Sequence, residues 1–274
     1  MKVTEAEFSR FVAVGSEAAR EAGRLILSHF RTDFAVSRKG ATDLVTEVDV
    51  AAENLIVSAL RAEFPAHRIL AEESNPEGAR GEFTWVIDPL DGTTNYTHGF
   101  PVFAVSIGLE ISGELAWGAV FNPVLDEFFT ARAGAGAFCN GARLRVSSTD
   151  LLADSFLATG FPYDIRTSPV NNLDNFCEFA IHSRAVRRAG SAALDLSYVA
   201  AGRFDGFWEL KLHPWDCAAG YLMVREAGGM VTDFTGSTGS IYAPECIASN
   251  GLIHEHMLMI IRRMAALTTR GSGR

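Results

Sequence analysis

The sequence predicts a layered α/β protein built as one unit around two sub-sheets, and three observations predict it. Two amphipathic helices open the chain, three strand-like runs separated by turn signals follow, and strands alternate with helices through the second half. No linker or internal repeat divides the 274 residues. A single domain is therefore expected over 1–267, with sub-sheets in roughly 1–145 and 146–267 and a flexible tail at 268–274.

The first helix is read from Phe8 to Phe30, where Phe8, Phe11, Val12, Gly15, Ala18, Ala19, Ala22, Leu25, Ile26 and Phe30 recur at helical spacing. A short strand at Phe34 to Ser37 and a polar turn from Arg38 to Thr42 precede a second helix. That helix starts near Thr46, carries Val48, Ala51, Ala52, Leu55, Ile56, Ala59 and Leu60 on one face, and stops before Pro65. Arg68 to Ala71 and Thr84 to Ile87 read as short buried strands. Val102 to Glu110, Glu114 to Phe121 and Glu127 to Arg132, broken at Ser112-Gly113 and Asn122-Pro123, suggest an antiparallel meander. Gly134, Gly136 and Gly141 then punctuate a hairpin-like segment. Beyond it, strands at Phe156 to Thr159, Ala185 to Arg187 and Phe204 to Glu209 are interleaved with helices near Val170 to Ile181, Ser191 to Ala201 and Pro214 to Ala227. A closing helix is expected from about Ile253 to Leu267.

Composition narrows the function classes. With 48% hydrophobic, 21% charged and 10% aromatic residues, nothing points to disorder, collagen or coiled coil. A net charge of −9 without a Lys/Arg run argues against a protein that grips nucleic acid through its phosphates, so no direct nucleic-acid partner is expected. An acidic chain can still handle a phosphorylated substrate if its carboxylates hold divalent cations and so reverse the local sign. Cys139, Cys177, Cys217 and Cys246 are scattered without a CxxC pair, and are read as buried thiols in a reducing compartment rather than a zinc, redox or disulfide framework. The opening residues lack an apolar signal region, and the longest apolar stretch, around Phe100 to Ile111, is far short of a membrane span. A cytoplasmic location without a membrane partner is the expectation.

The most informative stretch is Trp85-Val86-Ile87-Asp88-Pro89-Leu90-Asp91-Gly92-Thr93-Thr94-Asn95. A buried strand delivers two carboxylates three residues apart with a proline between them. Pro89 fixes the backbone so that Asp88 and Asp91 can converge with the Leu90 carbonyl, a set of oxygens that suits a hard cation. Gly92 and Thr93 can offer backbone N–H groups to a phosphate oxygen. Read alone, the segment is also an ordinary Asp-Pro-x-Asp-Gly turn. Two further segments bear on the choice. Ala71-Glu72-Glu73-Ser74 puts two acids at a strand end, which in isolation reads as a solvated loop. His213-Pro214-Trp215-Asp216-Cys217-Ala218-Ala219-Gly220 puts Pro214 at a first helical position and Asp216 in the first turn, where an acid commonly serves the helix dipole. His213 beside Pro214 is read as structural, since Mg²⁺ prefers oxygen. His98, His182, His254 and His256 are read as surface residues.

Together and in this order, these segments resemble the inositol monophosphatase family. Glu72-Glu73, Asp88-Pro89-Leu90-Asp91-Gly92-Thr93-Thr94-Asn95 and Trp215-Asp216-Cys217-Ala218-Ala219-Gly220 are similar to its three metal-site signatures, and Asp43-Leu44-Val45-Thr46-Glu47-Val48-Asp49 to its N-terminal motif. Arg188 to Asp195 and Val224 to Gly229 resemble the segments that flank its substrate pocket. The resemblance spans roughly residues 5 to 265. Two departures, Ala71 where Gly is common and Pro214 ahead of Trp215-Asp216, remove no ligand.

What the resemblance implies is specific. The fold would be an αβαβα sandwich. Glu72, Asp88, Asp91, Asp216 and the Leu90 carbonyl would coordinate two to three Mg²⁺ ions. Thr93, bonded to Asp49, would position the attacking water, with Asp49, Thr93 and Glu72 as the catalytic set. Gly92 and Thr93 amides would hold the phosphate. Glu209 would accept hydroxyls of a sugar alcohol, with Gly190, Ser191, Ala192 and Asp216 around the same substrate, and Lys39 would lie on a mobile loop over the site. The implied reaction is hydrolysis of a small phosphorylated polyol, inositol 1-phosphate before all, by water without a phosphoenzyme. Fructose 1,6-bisphosphate, histidinol phosphate and nucleotide 3′-phosphates are the alternative substrates that the scaffold serves. Bacterial members resembling this chain can also associate with the transcription machinery, so a regulatory role is the alternative of another class. The family is usually dimeric, and the apolar meander from Val102 to Phe129 could supply a flat contact surface for a homodimer.

Overall fold

The computed structural model describes residues 3–38, 44–74 and 81–271. Helix α1 (Glu5–His29) is capped by Thr4, whose hydroxyl accepts from the Glu7 N–H, and it buries the stripe Phe8, Phe11, Ala18, Ala19, Ala22 and Ile26. Strands β1 (Val36–Arg38) and β2 (Leu44–Thr46) pair antiparallel. The polar turn expected between them, with Lys39 and Asp43, lies outside the described residues. Thr46 then caps α2 (Glu47–Glu63) in a reciprocal box: its hydroxyl accepts from the Asp49 N–H, and the Asp49 carboxylate accepts from the Thr46 N–H at 3.0 Å. That box fixes Asp49 at the start of the helix, 1% exposed.

The larger sheet is assembled from β3 (Arg68–Ala71), β4 (Phe83–Asp91), β5 (Ala104–Ile111), β6 (Glu114–Asn122), β7 (Glu127–Arg132), β8 (Gly136–Cys139) and β9 (Ala142–Arg143), paired in that order. Only β3 and β4 run parallel; a short helix, α3 (Thr93–Thr97), follows β4. The second sheet runs in the order β11-β10-β12-β14-β13, built from β10 (Phe156–Thr159), β11 (Ala185–Arg187), β12 (Gly206–Leu210), β13 (Met230–Thr232) and β14 (Glu245–Ser249). Its helices are α4 (Leu173–His182), α5 (Ala192–Ala200), α6 (Pro214–Glu226) and α7 (His254–Gly271).

Strand alternation sorts these pieces into five layers. Trp85, Ile87, Val105, Ile107, Leu109 and Trp117 face α1 and α2. Val86, Ala104, Val120 and Phe129 face the opposite way onto α5 and α6, which meet Ala158, Phe207 and Ala248 of the second sheet. Leu157, Trp208 and Ile247, one residue out of phase, face α4 and α7. The resulting αβαβα sandwich is the architecture that the resemblance implies.

Several expectations need correction. The meander has no free face for a partner subunit, because Val105, Ile107, Ala119, Val120 and Phe129 are each fully buried between helices. His254 is not at the surface: it is 1% exposed, between the hydroxyls of Thr232 and Ser249 at 2.9 and 2.8 Å. Cys217 and Cys246 are buried, whereas Cys139 is half-buried and Cys177 exposed. Strands β13 and β14 are absent from the sequence reading, and α7 continues past residue 267 to Gly271. No helix among the described residues is long and apolar enough to cross a membrane.

Candidate active site

The site starts from a flaw in strand pairing. Between Asp88↔Ser106 and Asp91↔Ala104 the β4–β5 register slips by one residue. In a regular strand, residues three apart point to opposite faces; the extra residue of this bulge returns Asp88 and Asp91 to the same side. Pro89 sits inside the bulge, where its missing N–H costs no ladder bond. Gly92 then turns the chain at φ +99, in a space where a Cβ would come within 2.9 Å of the Val102 carbonyl. Asn95, on α3, donates to the carbonyls of Val102 and Ala189 and ties this loop to the start of α5.

Two helix starts bring the remaining groups. Helix α6 lies unusually close to the larger sheet: Cβ atoms added to Gly108 and Gly118 would come within 2.8 Å of Ala218 and Ala219. The Cys217-Ala218-Ala219-Gly220 run is thus the contact that seats α6, and with it Asp216, against the sheet. The Asp216 Oδ2 accepts from the His213 N–H at 2.7 Å. Helix α5 is capped from across the fold, where Oδ2 of Asp91 accepts from the Ser191 hydroxyl at 2.6 Å and the Ala193 N–H at 2.7 Å. Asp88 uses Oδ1 to accept from the Leu90 N–H at 3.0 Å. Each acid is therefore aimed by a backbone or hydroxyl donor.

Glu72, Asp88, Leu90, Asp91, Gly92, Thr93, Gly190, Ser191, Ala192, Glu209 and Asp216 line one pocket of about 470 Å³. Of the candidates named from the sequence, Lys39 is outside the described residues and Asp49 lies behind the wall. Its Oδ1 accepts from the Thr93 hydroxyl at 3.0 Å, and that hydroxyl also lies 3.1 Å from the Leu90 carbonyl. The Thr93 proton is thus directed away from the pocket, and its lone pairs are left to accept.

Charge is concentrated here. Burial, then the charges of Glu72, Asp91 and Asp216, pushes the Asp88 carboxyl well above the usual range. Burial raises Asp91 to about 6 against the pull of its Ser191 and Ala193 donors. It raises Asp216 well above the ordinary value and Glu209 to about 8. Among the described residues, no three His, Cys, Asp or Glu side chains already converge as a closed metal cluster. The donor set nevertheless fits a hard divalent cation: carboxylate and carbonyl oxygens, crowded and mutually repelling, with a cation the simplest relief.

The pocket also holds residues beyond the named ligand and substrate set, two of them, Arg188 and Asp195, from the segment that resembles a flank of the family's substrate pocket. Asp195, Arg188, Lys211 and Asp164 border the same pocket. Lys211, in a left-handed conformation at φ +62, donates to both Asp164 carboxylate oxygens and to the Ser168 hydroxyl, which neutralises its charge at the rim. Asp195 lay within a quoted motif, but its burial depends on α5 packing and could not be read from spacing.

An αβαβα sandwich with an acidic pocket between its sheets is the class these features define. The chain belongs to the inositol monophosphatase family, whose model matches residues 7–266. It is 47% identical over 258 residues to the Nus factor SuhB of Pseudomonas aeruginosa, covering 91% of this chain and 94% of that one. It is 42% identical to the inositol-1-monophosphatase of Mesorhizobium japonicum, covering 93% and 97%. The solved structure of an inositol monophosphatase from Anabaena superposes with a TM-score of 0.86 at 41% identity, over 93% of this chain and 96% of that one.

Proposed function

We propose that this chain is a Mg²⁺-dependent phosphatase that hydrolyses a monophosphate ester of a small polyol, with inositol 1-phosphate as the preferred substrate. The observation that carries the reading is the single pocket that Glu72, Asp88, Asp91, Asp216 and Glu209 line together. In this reading Glu72, Asp88, Asp91, Asp216 and the Leu90 carbonyl hold two to three Mg²⁺ ions. Bound there, Mg²⁺ would neutralise phosphoryl charge, acidify water and stabilise the leaving alkoxide.

The remaining steps belong to the chain's own residues. Asp49 fixes the Thr93 hydroxyl, whose lone pairs accept a hydrogen bond from the attacking water and so orient it. Gly92 and Thr93 amides hold phosphoryl oxygens. Glu209 accepts hydroxyls of the alcohol, beside Gly190, Ser191 and Ala192. Direct attack by water fits a sequence with no nucleophilic elbow and no paired Cys/His motif.

A second reading draws on the relatives named Nus factor SuhB, at 47% and 46% identity: a regulatory partner of the transcription machinery, compatible with retained catalysis. Phosphate release from myo-inositol 1-phosphate, fructose 1,6-bisphosphate and histidinol phosphate, with Mg²⁺ titrated from zero, tests the first. Fastest release from inositol phosphate, only with Mg²⁺, is expected. A bisphosphate turned over faster would overturn the pocket assignment, and no turnover in folded protein would favour the regulatory reading.

A further inference from the structure

Asp195 stands in the first turn of α5, 1% exposed, at the edge of the pocket that also holds Glu209. Its Oδ1 is buried and has no hydrogen-bond partner in the structure. Burying such a group without a partner is unfavourable, and natural folds rarely keep one that nothing uses. The usual duty of an acid at a helix start is already discharged by others: the Ser191 hydroxyl accepts from the Leu194 N–H, and Asp91 accepts from the Ala193 N–H. Elsewhere α5 buries Ala193, Leu194, Leu196, Val199 and Ala200, and its other buried polar side chain, Ser197, is satisfied by donating to the Ala193 carbonyl. An aliphatic side chain at position 195 would suit that surface better.

We infer that Asp195 is a substrate-binding residue, which with Glu209 forms a two-carboxyl wall that takes hydroxyl groups of a polyol. The inference rests on the phosphatase reading above and deepens it, because it names the part of the ligand that this wall reads. A hydroxyl gives the unpaired oxygen the donor it lacks. A ligand without hydroxyls leaves it unpaired, so discrimination comes from the polar atom that stays unsatisfied when the wrong ligand binds.

The experiment compares wild type with Asp195→Leu, Asp195→Ala and Asp195→Asn, using myo-inositol 1-phosphate and the hydroxyl-free p-nitrophenyl phosphate. Asp195→Leu fills the space of the carboxyl and Asp195→Ala relieves it, so whichever folds is sufficient. The KM for inositol phosphate should rise about tenfold or more in these variants, with p-nitrophenyl phosphate kinetics within about twofold of wild type and Asp195→Asn recovering most of the loss. Equal losses on both substrates, or none on either, would overturn the assignment. Binding of free myo-inositol, followed by ligand-detected NMR in Mg²⁺ and inorganic phosphate, gives a readout independent of turnover. If wild type hydrolyses no phosphate ester, the phosphatase reading falls while this comparison still decides Asp195. Weaker inositol binding in the variants supports the role; unchanged binding, or none in wild type, overturns it.

Discussion

Gly160 at the end of β10 and Glu209 on β12 occupy each other's space: a Cβ added to Gly160 would overlap the Glu209 carboxylate. The two strand ends are locked by Asn172, whose side chain donates to the Thr159 hydroxyl and the Gly160 carbonyl at 2.9 and 2.7 Å and accepts from the Trp208 indole at 2.8 Å. Gly160 has no unusual φ, so space alone forbids a side chain there. Gly160→Ala should therefore push Glu209 aside at small cost in stability, because the displaced group is the end of a flexible chain. The expected result is a KM for inositol 1-phosphate raised about tenfold, with thermal stability nearly unchanged. An unaltered KM in the folded variant would show that the position of Glu209 does not matter.

Thr93 and Asp49 make a second separable pair. Thr93→Val keeps the shape and removes the hydroxyl bonded to Asp49, whereas Thr93→Ser keeps it. The valine variant should lose about 10²–10³ in kcat with a smaller change in KM, and the serine variant should stay near wild type. Parallel losses in both would point to packing rather than to the hydroxyl.

The seat of α6 is testable by stability alone. Gly118 has no room for a side chain beneath Ala219, so Gly118→Val should destabilise the protein by about 1–3 kcal/mol or more, read from the urea midpoint. A midpoint equal to wild type would mean that the helix moves freely off the sheet.

Stability should also depend on pH through His254. Burial between Thr232 and Ser249 lowers its pKa, so the folded state resists protonation more than the unfolded chain. The contribution is complete above the unfolded value of about 6.5 and is lost as pH falls through that value toward the lower folded one. His67, which accepts from the Trp85 indole and is also lowered by burial, acts in the same direction. Between about pH 7 and pH 5 the wild-type urea midpoint should fall more than that of His254→Gln. Identical slopes would remove His254 from the account.

Much of this was legible in the sequence. The helices at either end show the 3.6-residue period, and the Asp88 to Asn95 segment carries its chemistry in residue types at short spacing. What was not legible depends on distant packing. Strand β14 is a short run, Glu245–Ser249, that becomes an interior strand only because β12 and β13 flank it. His254 looks like any isolated histidine until two strands close over it. Asp195 and Gly160 owe their meaning to neighbours on other elements, and one chain of letters holds no record of those approaches.

The most direct test is phosphate release from inositol 1-phosphate as Mg²⁺ is titrated, in wild type and in Asp91→Asn side by side. Asp91 both faces the proposed metal site and caps α5, so folding of the variant is checked first by its thermal transition. No turnover without Mg²⁺, saturable turnover with it, and a loss of orders of magnitude in folded Asp91→Asn are the predicted results. Turnover independent of Mg²⁺, or full activity in the folded variant, would contradict a carboxylate-held metal centre.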